Sequence, residues 1–180
     1  MNFSIQPSLE NEMVILQPLV ESDFEKLFKV ANDPLIWEQH PNKNRYKKEV
    51  FEVYFTGAIE SRGAYLIVDK QTGNVAGSTR FYDFDEEKKT ILIGYTFFGV
   101  KYWGTKMNSM VKKAMLDYIF QFVNTVHLHV GANNIRSQIS IERLGAKKIA
   151  EKNVAYYGEP EVINFVYEIS KESWLEHVKM

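Results

Sequence analysis

Residues 92–121 place the tightest limits on the fold: a strand-like run, LIGYTFF, passes through the loop VKYWGTK into a long amphipathic helix. That helix carries Met107, Met110, Val111, Ala114, Met115, Tyr118, Ile119 and Phe122 on one face, with Asn108, Lys112, Lys113 and Gln121 off it. Residues 125–130, TVHLHV, then alternate as a half-buried strand. Strand, helix and returning strand make residues 90–130 a βαβ unit with a right-handed crossover, which commits the chain to a sheet with a parallel pair. The same order builds an anion site. The first amides of a helix lack internal partners and lie at the positive end of its dipole, so a glycine loop feeding a helix start suits a phosphate-bearing ligand.

The rest of the chain reads as helices and antiparallel strands. Residues 13–18 are a short apolar run, and residues 22–25, SDFE, read as a capping box for a helix bearing Phe24, Leu27, Phe28 and Ala31, which Asn32-Asp33-Pro34 ends. A second helix over residues 47–61 presents Phe51, Tyr54, Phe55 and Ala58 at helical spacing. Residues 65–68 and 75–82 form a hairpin around Thr72-Gly73-Asn74, residues 83–89 a solvated tip, and residues 90–98 a third antiparallel strand. A helix opening at Asn133-Asn134 stops at Leu144-Gly145, where glycine suits the left-handed position. Residues 147–155 and 162–169 close the sheet, and residues 172–179 end the chain as a helix. The expected fold class is α/β: a single domain over residues 1–180, with a mixed, mostly antiparallel twisted sheet flanked by helices around the central βαβ unit.

Composition removes several function classes. The 22 basic and 23 acidic residues leave a net charge of -1, so no global basic field favours nucleic acid. The absence of cysteine excludes disulfides, thiolate metal sites and a cysteine nucleophile, and fits a reducing cytoplasm. The first 13 residues lack the layout of a secretion signal, and no apolar run approaches the ~18 residues of a membrane span, so a soluble cytoplasmic protein without membrane partners is expected. His127 and His129 share one strand face, but no third ligand is evident and no metal is expected.

In a sheet of this kind ligands bind beyond the carboxyl ends of the parallel strands. There the loop of residues 100–109 and the turn of residues 131–137 meet, the second offering the Asn134 and Ser137 side chains. The residues Tyr102-Trp103-Gly104-Thr105-Lys106-Met107-Asn108-Ser109, followed by NIRSQISIERLGA from Asn134, resemble the GNAT N-acetyltransferase superfamily. More narrowly they are similar to its ribosomal-protein N-terminal acetyltransferase branch. The resemblance covers nearly the whole chain and implies acetyl-CoA as donor. The pantetheine would pair along the strand edge of Thr96, Phe97 and Phe98, and the diphosphate would lie on the amides of Lys101, Trp103, Gly104, Thr105, Lys106, Met107, Asn108 and Ser109. It implies direct attack of an amine on the thioester in a ternary complex, with Asn134 and Ser137 near the thiol and Ser137 as the candidate acid or thiol partner. Two positions depart from the pattern: Lys101 stands for the usual Arg or Gln, and Lys106 for the usual Gly or Ala. The Lys106 side chain must point away from the diphosphate or meet it with its own charge.

Other candidates have two readings each. Tyr156, before the Gly158-Glu159-Pro160 turn, donates a proton or packs, as does Tyr157. Trp37, Glu38 and His40 lie between the front helices, where they form an acceptor site with Glu38 or His40 relaying the amine's proton, or merely a cap and a core tryptophan. The resemblance implies as acceptor a primary amine on a small molecule or a protein N-terminus, and a monomer or homodimer is expected. The alternative is a non-catalytic module of the same fold that binds an acyl-CoA or another phosphorylated ligand.

Overall fold

The computed structural model describes residues 3–179. Among the described residues one sheet joins eight strands: β1 (Leu9–Glu10), β2 (Val14–Pro18), β3 (Ala64–Asp69), β4 (Val75–Asp85), β5 (Thr90–Phe98), β6 (Thr125–Gly131), β7 (Lys147–Ala155) and β8 (Glu161–Ser170). Their spatial order is β1-β2-β3-β4-β5-β6-β8-β7, and each neighbouring pair is antiparallel except β5 with β6. Helices α1 (Phe24–Ala31), α2 (Lys48–Glu60), α3 (Met107–Ile119), α4 (Ile135–Glu142) and α5 (Lys171–His177) cover it.

Strand β3 explains the layering. Its side chains alternate between faces, and it is buried on both, so it reads as a continuous apolar run. Tyr65 and Ile67 join the core under α3, with Val111, Met115 and Ile119. Leu66 and Val68 join the second core, under α1 and α2, with Leu27, Phe51 and Ala58.

Local details depart from the expected reading. Within residues 13–18, Val14–Pro18 is a paired strand rather than an unassigned apolar run, because β2 lies against β3. The box expected from Ser22 does not form; Asp23 accepts from the Val20 amide at 3.2 Å, and a short 3-10 turn, Glu21–Asp23, precedes α1. Strand β4 runs on to Asp85, so the solvated tip is shorter than residues 83–89. Lys112, expected off the buried face of α3, is 3% exposed. Its long side chain passes between the helix and the sheet to two threonine hydroxyls, which helical periodicity alone does not reveal.

The parallel register of β5 and β6 ends after Leu92↔His127. Beyond it β5 bulges away. Ser78↔Phe97 and Arg80↔Gly94 set two steps of β4 against three of β5, and Tyr95 takes φ 52. The bend is held from the α2 side: the Tyr54 hydroxyl donates to the Tyr95 carbonyl at 2.6 Å, and the buried Arg80 guanidinium lies 3.7 Å from the Tyr95 ring centroid. A non-glycine residue at positive φ costs about 1–3 kcal/mol, so this geometry persists only with such support. The strand edge from Ile93 to Phe98 therefore faces a gap.

Candidate functional site

A cavity of about 390 Å³ fills the gap between β5 and β6. At one end lie the starts of α3 and α4; at the other lie the loop before α2 and the connection between β7 and β8.

The first end is made largely of backbone. A 3-10 turn, Val100–Tyr102, leads into Trp103, whose indole N–H donates to the Phe98 carbonyl at 3.2 Å and fastens the loop to the strand end. Gly104 follows at φ 70, a left-handed conformation that disfavours side chains even though a Cβ there would meet nothing within 4 Å. Lys106 occupies the cap of α3 with φ -75, an ordinary helical value, and its side chain is exposed. The backbone at this position does not require glycine. Among the described residues, the amides of Gly104, Lys106, Asn108 and Ser109 have no protein acceptor, whereas Met107 donates to the Thr105 hydroxyl at 3.2 Å.

The start of α4 stands beside these amides. Asn134 is buried and accepts from the Ser137 amide at 3.1 Å, so it is a helix cap while also lining the cavity. The Asn108 side chain donates to the Ser140 hydroxyl at 2.6 Å and ties α3 to α4. Arg136 lies 3.7 Å from the Trp103 ring centroid, placing a guanidinium over the loop, and Arg143 lines the same side. Free amides and two arginines make an end that can hold an anion, and the open edge of β5 next to it can pair with an extended ligand.

Lys112 lies in the interior of the cavity lining, reached from α3. Its ammonium nitrogen is 2.7 Å from the Thr96 hydroxyl and 3.4 Å from that of Thr79, and these two hydroxyls are 2.8 Å apart. Burial lowers its pKa from 10.5 to about 7.

The far end is made of side chains. Arg45, 3% exposed, forms a two-pronged ion pair with Glu159, both bonds 2.8 Å, and its guanidinium packs against the Trp37, Tyr54 and Tyr156 rings. Tyr156 packs edge-on against Tyr95 and donates to Asn164 at 2.6 Å, and burial pushes its pKa upward. His40 lines the cavity and stays neutral; burial, aided by the Arg45 and Arg136 charges, lowers its pKa to about 3. His129, whose Nδ1 is buried without a partner, is lowered to about 4, mainly by burial.

The sequence-derived candidates separate on this geometry. Thr96, Phe97, Phe98, Trp103, Gly104, Thr105, Asn108, Asn134, Ser137, Tyr156 and His40 come together around the cavity. Trp37 does not reach it: the ring is fully buried and its N–H donates to the Ala31 carbonyl at 2.7 Å, so it is a core residue. Glu38 is exposed and lies outside the lining, because the turn that buries Trp37 points its neighbour outward. Lys101 is likewise exposed outside it, over the Tyr102 ring, and Met107 is buried in the core. Sequence reading missed Arg45, Tyr95, Lys112, His129, Arg136 and Arg143, which reach the cavity through tertiary contacts; Arg136 and Arg143, both inside the quoted NIRSQISIERLGA motif, carried a local signal. Among the described residues no cluster of three or more His, Asp or Glu side chains could hold a metal ion, and no helix is long and apolar enough to cross a membrane.

Comparison with known proteins bears on the same region. Residues 13–147 match the family model of the acetyltransferase (GNAT) domain. No curated protein sequence matches the chain significantly. Among solved structures, a GCN5-related N-acetyltransferase from Brucella melitensis is similar with a TM-score of 0.80 at 17% identity, over 99% of this chain and 87% of that one. The spermidine N-acetyltransferase of Vibrio cholerae, solved with CoA and spermine, is similar at 0.68 and 15%, over 92% and 99%. RimJ of Mycobacterium smegmatis, solved with CoA-disulfide, is similar at 0.68 and 14%, over 92% and 87%.

Proposed function

The chain belongs to the GNAT acetyltransferase family, and on that premise we propose that residues 1–180 act as one domain that transfers the acetyl group of acetyl-CoA to a primary amine. The observation that carries the reading is the pairing of free amides at Gly104, Lys106, Asn108 and Ser109 with an unpaired β5 edge that leads from them into the cavity. The amides and Arg136 suit the diphosphate, and Thr96 to Phe98 suit the pantetheine amides. Asn134 and Ser137 flank the path to the thiol, and Ser137 donates to the departing sulfur. The amine enters by the end lined by His40, Arg45, Tyr95 and Tyr156.

Charge narrows the acceptor. Among the described residues the lining contains no Asp or Glu, and its arginines are Arg45, Arg136 and Arg143. Glu159 answers Arg45 and is not itself in the lining. A polyamine would bring several ammonium groups to a wall without a counter-charge, so the acceptor carries one amine on a neutral or anionic body, as a protein N-terminus or an amino acid does. The motif at Asn134 supports the ribosomal-protein acetyltransferase branch. The test is release of CoA thiol from acetyl-CoA across a panel of peptides, amino acids and polyamines. Release with single-amine acceptors above polyamines is expected; release with polyamines alone would overturn the acceptor class, and release with no amine would overturn the activity.

A further inference from the structure

The attacking amine gives up a proton as it is acylated, and the sulfur that leaves must gain one. A group that accepts this proton needs to face the cavity and to change its protonation near neutral pH. Glu38, the carboxylate the sequence suggested, lies outside the lining, and among the described residues no other carboxylate replaces it.

The groups around Lys112 can be taken element by element. From β4 it meets Thr79, and from β5 Thr96 and, across the strand, Tyr95. His129 faces the cavity from β6, Arg136 and Arg143 from α4, His40 and Arg45 from the loop before α2, and Tyr156 from the β7–β8 connection. His40 and His129 are neutral well below pH 7, and burial raises Tyr95 and Tyr156 above their usual value. Arginine side chains do not give up protons in proteins. Lys112 stays near neutrality, and it carries no carboxylate that would fix its charge.

Resting on the acetyl-transfer reading, we propose that Lys112 is the proton carrier of the reaction, bound through Thr96 to the bulged strand edge where the acyl group is held. The N–C bond forms as the C–S bond breaks; the Lys112 amine takes the proton from the acylated nitrogen and returns it to the thiolate, restoring the neutral amine. Nothing is oxidised or reduced, and no further reactant is needed. The Thr79–Thr96 hydroxyl pair holds the amine in either protonation state, because each hydroxyl both donates and accepts.

The test compares wild type with Lys112→Met and Lys112→Arg, reading kcat and kcat/KM against pH, acetyl-CoA affinity by calorimetry, and the titration of the Lys112 amine by NMR of isotope-labelled lysine in the ligand-free protein. Expected is a wild-type kcat/KM that rises to a plateau through about pH 7, matching the NMR titration. Both variants lose roughly 10²-fold in kcat and the rising limb, with acetyl-CoA affinity kept. Retention of kcat by Lys112→Arg would overturn the proposal, because a fixed charge would then suffice. So would an unchanged limb in Lys112→Met, an amine titrating near 10.5 in the fold, or acetylation of Lys112 itself by acetyl-CoA. Absence of acetyl-CoA binding to the wild type would instead strike the acetyl-transfer reading, which separates the two failures.

Discussion

The two ends of the cavity are built by different means. At the anion end, segments of about ten residues shape backbone amides: a strand stop, Gly104 at positive φ, and the first turn of α3. At the acceptor end the wall is assembled from distant side chains. Arg45 and Glu159 are 114 residues apart in sequence, and Tyr156 is set by Asn164 on the next strand. The first kind of site tolerates changes of side chain, which is why Lys106 can stand where small residues are usual in the family. The second kind depends on each partner.

That contrast predicts the largest effect at the ion pair. Glu159→Ala leaves the buried Arg45 guanidinium without its carboxylate and costs about 3–5 kcal/mol of stability, read by chemical denaturation. It also raises KM for the amine while the affinity of the remaining folded protein for acetyl-CoA changes little. Equal losses at both ends would break the distinction between them.

A second effect comes from Lys112. Its pKa is about 7 in the fold against 10.5 when exposed, so between these values the unfolded chain binds more protons and stability rises with pH. The increment is fully present above 10.5 and is lost as pH falls toward 7. Melting temperature in wild type should climb by several degrees from pH 7 to 9.5 relative to Lys112→Met, with about 2–4 °C for each kcal/mol. Parallel curves would place the lysine in solvent. The buried tyrosines are common to wild type and variant, so their own contribution cancels in this comparison.

The smallest effect is expected at Ser137. Its amide is held by Asn134 whatever its side chain, so Ser137→Ala keeps the fold and acetyl-CoA affinity while lowering kcat by about 10-fold, on the order of 1.4 kcal/mol. Unchanged turnover would remove the hydroxyl as a hydrogen-bond partner of the departing sulfur.

The same division explains what could be read from sequence. The βαβ unit, the glycine loop and the Asn134 cap were legible because each rests on local periodicity or on a residue suited to one backbone state. Trp37 and Glu38 misled because sequence adjacency to a turn does not say which side of it faces the core; Trp37 turned inward and Glu38 outward. Lys112 was hidden by its charge: a lysine on a helix ordinarily marks solvent, and only the parted strands provide room for it to reach Thr96. The bulge at Tyr95 was equally silent, being fixed by Tyr54 and Arg80 from other elements.

The central claim is that the loop at Gly104 holds the donor through its backbone. Calorimetric titration of acetyl-CoA into wild type and Gly104→Val tests it most directly, because a β-branched residue strains φ 70 at a position where an added Cβ meets nothing within 4 Å. The account predicts saturable binding to wild type and at least a 10-fold loss in the variant, about 1.4 kcal/mol. Equal affinity for both proteins would contradict it.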